Sequence, residues 1–343
     1  MNLSSIKDFM KTKKMIRPVA VMVLLLSAVA IAGFYSCRVH QTETKHLFAM
    51  DTSVNITADK DNLNTYSEEI QRLDKMLSAY NPDSEISKLN KNKECELSQE
   101  TAQLLEQAVK LCRKYPDVDI TVGALVKLWN INGENPVIPT EQDIFSAKET
   151  VGVENINING KPATLENNAR LDLGCCGKGY ALDVLRRLFD ENAESYAVVS
   201  FGSSSLVYGE KPDGKAFVTR VVNPENPNKP MLEFETEQAF ISTSGGYERY
   251  FEVDGKRYSH IIDIETGYPV ETDLTSVTVI SRVSGIVSDF MSTCVYIGGT
   301  DKLNDYLDNK DFEIIAVDKN KNVYCSESVE SRVEILDNKF KMK

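Results

Sequence analysis

Hydrophobic positions recur along this chain at two periods. Between residues 63 and 78, Ile70, Leu73, Met76 and Leu77 fall at helical spacing and predict an amphipathic helix. Leu104, Leu105, Val109 and Leu111 do the same for 98–114. Between them, Ser78-Ala-Tyr-Asn-Pro-Asp-Ser84 is a turn cluster that stops the first helix. Alternation from Met50 to Thr57 predicts a strand. Asp117-Val-Asp-Ile-Thr-Val-Gly123 leads into a short helix bearing Trp129, and 131–170 reads as loop with short strands. Ala169-Arg-Leu-Asp-Leu173 alternates like a short strand, and Gly174, Gly177 and Gly179 follow it. Tyr180, Ala181, Leu182, Leu185, Leu188 and Phe189 then predict a helix from about Lys178. Strands are expected at 195–201, 205–209, 216–222, 232–236 and 239–243. Arg249 to Phe251 and Tyr258 to Asp263 form two more, joined by the hairpin signal Asp254-Gly255. After a strand at 276–280, a helix is expected over 285–297 and again over 301–308, then strands near 312–317, 322–326 and 332–336. Helix and strand interleave without a regular βαβ period, which predicts an α+β fold: mixed sheets with packed helices in a single large body.

The first 37 residues break this pattern. Lys7, Lys11, Lys13, Lys14 and Arg17 oppose one acid, Asp8, and Val19 to Tyr35 is apolar except for Ser27 and Gly33. A basic start, an apolar run and Ser36 before Cys37 read as a bacterial lipoprotein signal, which would leave Cys37 as the lipid-bearing first residue. An uncleaved membrane anchor is the alternative, since about 17 apolar residues can just span a bilayer. Either way the body is expected outside the cytoplasm, on the periplasmic side of the inner membrane. Residues 1–37 are thus a targeting segment, 38–48 a polar spacer and 49–343 the folded domain.

The formal charge is −12, and the targeting segment is itself basic, so the body approaches −16. That excludes nucleic acid as a partner, which needs a basic face. It also repels an anionic ligand, so a bound cation would help such a ligand in. The seven cysteines form no C-x-x-C and no Cys/His pair at zinc spacing. Cys175-Cys176 reads either as a redox pair or as two small residues in a tight loop, and an extracytoplasmic disulfide among the others is open.

Candidate chemistry gathers at few places. The glycine loop at 174–179 lets backbone approach a ligand and starts a helix, whose N-terminus suits an anion such as phosphate. A loop that only closes the helix onto its neighbour fits equally well. The spacing G-x-x-G-x-G matches neither the P-loop nor the dinucleotide fingerprint. Of three histidines, only His260 lies in the folded body, in Tyr258-Ser-His-Ile-Ile-Asp263, where it is a candidate general base. Asp289 and Thr293 share one helix face and offer hard oxygens of the kind Mg²⁺ prefers. The serines at 203–205 and 242–244 do not complete a nucleophile motif.

Taken in order, the motifs are similar to those of a known family. Met50-x-Thr52, Leu77-Ser-x-Tyr-x-Pro-x-Ser-Glu-Ile-Ser-x-Leu-Asn90 and Asp119-Ile-Thr-Val-Gly-x-Leu-Val-x-Leu-Trp129 come first. Leu171-Asp-Leu-Gly…Lys-Gly-Tyr-Ala-x-Asp183, Thr243-Ser-Gly-x-Tyr-Glu-Arg249, Tyr258-Ser-His-Ile-Ile-Asp-x-x-Thr-Gly-x-Pro269 and Ser288-Asp-x-x-Ser-Thr293 follow. From about residue 50 to 300 the chain resembles the ApbE-type FAD:protein FMN transferases. The resemblance implies Mg²⁺-dependent transfer of the FMN half of FAD to a Thr or Ser of an acceptor flavoprotein, with release of AMP. The acceptor would be a domain of an extracytoplasmic redox complex. Hydrolysis of FAD to FMN and AMP, or flavin binding without catalysis, are the alternatives. By the same resemblance Asp289, Thr293 and the main-chain carbonyl of Cys175 hold Mg²⁺, and His260 takes the proton of the acceptor hydroxyl. FAD is held by Met50, Tyr80, Asp117, Val118, Asp119, Asp172, Lys178 and the backbone at Ile262. Asp51 stands where the family pattern has Gly.

Overall fold

The computed structural model describes residues 42–131, 133, 136–159 and 162–343. The targeting segment expected over 1–37, Cys37 included, lies outside the described residues. Strand β1 (Thr42–Ala49) turns directly back into β2 (Thr52–Asp59). Met50 and Asp51 between them lie at φ 51° and 57°, the two left-handed residues of a tight hairpin. Most of the stretch expected as spacer is therefore strand. Its polar side chains hid it, because β1 is a sheet edge facing solvent. Thr44 and Thr57 hydroxyls meet across the hairpin at 2.8 Å, and His46 Nδ1 meets Asn55 Oδ1 at 2.6 Å.

Helices α1 (Leu63–Leu77), α2 (Glu85–Asn92), α3 (Gln99–Lys114), α4 (Gly123–Trp129) and α5 (Glu141–Lys148) follow. Strands β3 (Glu94–Cys95), β4 (Ile156–Asn157) and β5 (Ala163–Leu165) form a small sheet beside them. Helix α2 is too short to show a period in the sequence. Ser84 starts it by accepting the Ser87 N–H at 2.8 Å. Its Asn90 donates to the Leu171 carbonyl at 2.9 Å and accepts the Leu171 N–H at 2.6 Å. That side chain does for Leu171 what a neighbouring strand would do. The strand expected over Ala169–Leu173 is accordingly not a ladder. Its other bonds run singly, from Asp172 N–H to the Ile120 carbonyl and from Gly123 N–H to the Arg170 carbonyl.

The remainder is α6 (Gly177–Glu191), β6 (Tyr196–Phe201), β7 (Ser204–Gly209), β8 (Phe217–Asn223), β9 (Asn226–Thr236) and β10 (Ala239–Ser244). A hairpin of β11 (Tyr250–Val253) and β12 (Lys256–Ser259) leads to β13 (Leu274–Ser281) and α7 (Gly285–Leu307). Strands β14 (Glu313–Asp318) and β15 (Asn322–Cys325), the single turn α8 (Glu327–Glu330), β16 (Val333–Ile335) and β17 (Lys341–Met342) end the chain. Helix α7 breaks at Gly299, which lies at φ 65°, where the sequence pattern also changes. The α+β expectation holds.

Nine strands make the main sheet, in the order β1-β2-β6-β7-β10-β13-β14-β15-β17. Its central pairs are antiparallel and only β15–β17 is parallel. Neighbouring residues along each central strand go to opposite faces, as a pleat requires. Leu206, Phe240, Val279 and Ile314 join the core under the helices. Val207, Ile241, Ile280 and Ile315 join a second core under the three-stranded sheet β16-β9-β8. Both faces are covered, so each of these strands puts apolar side chains on both sides, with buried Ser and Thr among them. A third, small cluster of Leu125, Trp129, Ile144 and Ile262 lies beneath α4 and α5.

Candidate active site

A cleft of about 520 Å³ opens where the helical layer meets the turns at one end of the main-sheet strands. Met50 comes to its wall from the β1–β2 turn and Tyr80 from the turn after α1. Val118 and Asp119 come from the segment before α4, and Asp172, Cys175 and Lys178 from the glycine loop and the start of α6. His260 and Ile262 follow β12, and Thr293 projects from α7. Ten of the twelve residues singled out in the sequence thus line one cavity. Asp117 and Asp289 do not line it.

The glycine loop is shaped by how α6 and α7 cross. A Cβ on Gly179 would stand 2.2 Å from the Gly285 carbonyl oxygen, and one on Gly285 would stand 2.3 Å from that of Gly179. The backbones touch, so neither position accepts a side chain. Each helix also caps the other. Asp289 of α7 accepts the Gly179 N–H at 3.0 Å, in the first turn of α6. Asp183 of α6 accepts the Gly285 N–H at 2.6 Å, the Ile286 N–H at 3.1 Å and the Ser284 hydroxyl at 3.1 Å, at the start of α7. Negative charge at a helix N-terminus is favourable twice over. The helix start that the sequence offered to a phosphate therefore holds the protein's own carboxylate. Gly179 serves packing.

Asp289 is buried, and its other oxygen accepts the Ser204 hydroxyl at 2.9 Å. Lys178 Nζ stands 3.4 Å from the same oxygen. Burial alone would lower the Lys178 ammonium, but the Asp289 and Glu248 carboxylates outweigh it and hold its pKa above the usual lysine range. Thr293 lies one turn after Asp289, and its hydroxyl is 3.3 Å from that of Ser244. A carboxylate accepts about four bonds, so Asp289 keeps capacity beyond these partners. The Asp289 carboxylate and the Thr293 hydroxyl, one turn apart on α7, are hard oxygens of the kind Mg²⁺ takes, and in donor chemistry they fit it.

His260 has a fixed tautomer. Its Nδ1 lies 3.1 Å from the Arg249 carbonyl oxygen, which also accepts the His260 N–H at 3.0 Å. A carbonyl only accepts, so Nδ1 carries the proton and Nε2 keeps its lone pair. Burial, and then the positive charges of Arg249 and Lys178, push the pKa down to about 4, against the bond to the Arg249 carbonyl. At neutral pH the ring is an uncharged acceptor.

The acids of the wall have other duties. Asp119 accepts from Thr121 N–H and hydroxyl at 2.7 and 2.6 Å and from Val153 N–H at 2.9 Å. Asp172 accepts the Gly174 N–H at 2.8 Å, and burial pushes its carboxyl up. Asp117 is held by Lys302, whose Nζ is 2.7 Å from both carboxylate oxygens. Among the wall residues that carry no role in the sequence argument are the neighbours Glu248 and Arg249. Desolvation raises the Glu248 carboxyl, with Lys178 opposing, and Ser203 donates to it at 3.2 Å. The signal for both was a charged pair in the short link between a buried strand and a hairpin.

Residues 50–316 match the ApbE family. This chain belongs to that family. It is 28% identical over 338 residues to the FAD:protein FMN transferase of Haemophilus influenzae, spanning 89% of this chain and 96% of the relative. It is 30% identical over 258 residues to the FAD:protein FMN transferase of Escherichia coli, spanning 72% and 73%. The crystal structure of the ApbE protein from Thermotoga maritima superposes with a TM-score of 0.76 at 30% identity, over 84% of this chain and 98% of that one. The cleft described above thus lies within the part of the chain that defines an ApbE protein.

Proposed function

We propose that this chain is a Mg²⁺-dependent FAD:protein FMN transferase that modifies a Ser or Thr of an acceptor flavoprotein. The observation that carries the reading is His260: a neutral imidazole, its Nδ1 committed to a carbonyl, in the wall of a cleft that also holds Lys178 and Thr293. Nε2 takes the proton of the acceptor hydroxyl as that oxygen bonds to the phosphorus on the FMN side of FAD. The bond from that phosphorus to the bridging oxygen breaks, and AMP leaves with the electron pair. Lys178 lies where charge on the pyrophosphate needs a partner. Asp289, Thr293 and the carbonyl of Cys175 would hold Mg²⁺, which supplies further charge neutralisation when bound.

Met50, Tyr80, Asp172 and Ile262 supply the rest of the FAD wall. The 117–119 segment contributes Val118 and main chain, because the Asp117 and Asp119 carboxylates are engaged elsewhere. The lipoprotein pattern at 1–37 supports a body tethered outside the cytoplasm, in reach of an acceptor that is a domain of an extracytoplasmic redox complex. Cys37→Ser would abolish incorporation of labelled fatty acid if the chain is a lipoprotein and change nothing in labelling if the segment is an uncleaved anchor.

The test mixes the chain with FAD, Mg²⁺ and an acceptor domain, then reads flavin fluorescence on the denatured acceptor band. Fluorescence that EDTA abolishes is the expected result. A dark band with free FMN and AMP in solution would instead show an FAD pyrophosphatase.

A further inference from the structure

A second cavity, of about 590 Å³, adjoins the first. Asp51, Tyr80, Arg249, His260 and Ile262 line both, so the imidazole is part of a shared wall. Beyond that wall the second cavity is lined by Trp129, Asn130 and Tyr250. We propose that it receives the hydroxyl-bearing segment of the acceptor protein, so that donor and acceptor meet at His260 from two sides. The inference rests on the transferase reading above and adds the place of the second substrate to it.

Three observations carry it. The first is connectivity. A transfer between two molecules needs two approaches to one base, and a dinucleotide filling the first cleft closes one of them. The second cavity is the other approach, and its volume lies in the range of built ligand sites rather than of a lone water.

The second observation is charge. Among the described residues its wall carries one acid, Asp51, and one base, Arg249, beside a neutral His260. Such a wall has no surplus of positive charge for a second anionic ligand. It suits an uncharged stretch of chain bearing Ser or Thr.

The third is the rim. Tyr80 and Tyr250 are 61% and 40% exposed, large aromatic surfaces left open beside the cavity. Tyrosine is enriched where proteins dock. Tyr250 is held for this: the Arg257 guanidinium lies over its ring at 4.6 Å. Beneath it, Tyr258 stacks on Phe251 at 5.1 Å and on Trp129 at 5.6 Å, and Trp129 Nε1 donates to the Gly267 carbonyl at 2.9 Å. A platform ordered before binding loses less entropy on binding.

In this arrangement the hydroxyl oxygen enters from the second cavity and its proton passes to Nε2. The new P–O bond forms toward the first cleft, and AMP departs on that side. The test uses the full chain, its Tyr250→Ala variant and a Thr-bearing acceptor domain that the wild-type chain labels with FMN. Tyr250→Ala is expected to raise KM for the acceptor at least tenfold, with the Kd for FAD, read by flavin fluorescence, unchanged. A photo-crosslinking residue at position 250 should capture the acceptor, whereas one at exposed position 218, on β8, should not. This second measurement keeps the test valid if the alanine variant folds poorly. An unchanged acceptor KM and no adduct at 250 would overturn the inference alone, with wild-type transfer intact. Weaker FAD binding at unchanged acceptor KM would also overturn it, by giving the second cavity to the flavin. A wild-type chain that labels no acceptor would sink the transferase reading and this inference together.

Discussion

At the scale of single residues, His260 acts through the atom it leaves free. The Arg249 carbonyl fixes Nδ1–H, so the ring presents Nε2 as an acceptor at any pH above its own pKa. That pKa is about 4, well below the ordinary histidine value near 6.5. The acid limb of kcat/KM, which reports the free enzyme, is therefore expected near pH 4 to 5 and not near 6.5. A limb at 6.5 would show that water or bound ions relieve the burial. The same shift has a sign in stability. The unfolded chain binds more protons than the folded one between about 6.5 and about 4, so folding weakens as pH falls through that window. His260→Ala should cut FMN transfer by at least about a hundredfold while the Kd for FAD, by flavin fluorescence, stays within a few-fold. Parallel loss of both would make His260 a binding residue. Sequence alone could single out His260, the one histidine beyond the stretch read as spacer, but not its tautomer, because a main-chain carbonyl leaves no trace in residue identity. Asp117 and Asp119 show the converse limit. Their side chains look like ligands in the sequence, yet Lys302, far along the chain, and the Thr121 and Val153 backbone take them up.

At the scale of elements, the site depends on one helix crossing. Gly179 and Gly285 let α6 and α7 touch, and Asp183 and Asp289 cap each other's helix. Lys178, Asp289 and Thr293 are set by this single contact. Gly179→Ala would place a methyl 2.2 Å from the Gly285 carbonyl. The helices must separate, at a cost of about 1–3 kcal/mol typical of overpacking. The expected outcome is a lower Tm together with a higher Mg²⁺ requirement for transfer; a lower Tm with an unchanged Mg²⁺ titration would separate the crossing from the metal site. Helices α1, α3 and α6 were legible because each has one buried stripe long enough to show a 3.6-residue period. Helix α2, at eight residues, does not, and β1 carries polar side chains at an edge. The strand at 169–173 was expected from alternation, but Asn90 and single backbone bonds replaced the ladder. Glycine spacing showed that backbone comes close at 179, and only the fold shows that the close neighbour is another helix.

At the scale of the whole molecule, an acidic body has to hold an acidic substrate. The charge of the folded part approaches −16, while the cleft wall offers Lys178 and Arg249 as its cationic side chains. Neither is free of other work. Lys178 faces the Asp289 and Glu248 carboxylates, and an Arg249 N–H donates to the Asp51 carbonyl. A pyrophosphate entering this cleft meets carboxylates whose charge is only partly compensated, and the long-range field of the body opposes its approach. A divalent cation on Asp289, Thr293 and the Cys175 carbonyl would reverse the local balance. FAD affinity itself, and not only turnover, should then depend on Mg²⁺. Flavin fluorescence titrations in Mg²⁺ and in EDTA are expected to differ at least tenfold in Kd, and Asp289→Ala should bind FAD equally weakly in both. Raising the salt should narrow the gap, because screening weakens the repulsion from distant charges of the body more than contacts inside the cleft. Equal affinity with and without Mg²⁺ would mean that Lys178 and Arg249 suffice to hold the pyrophosphate, and would confine the cation's part to the chemical step.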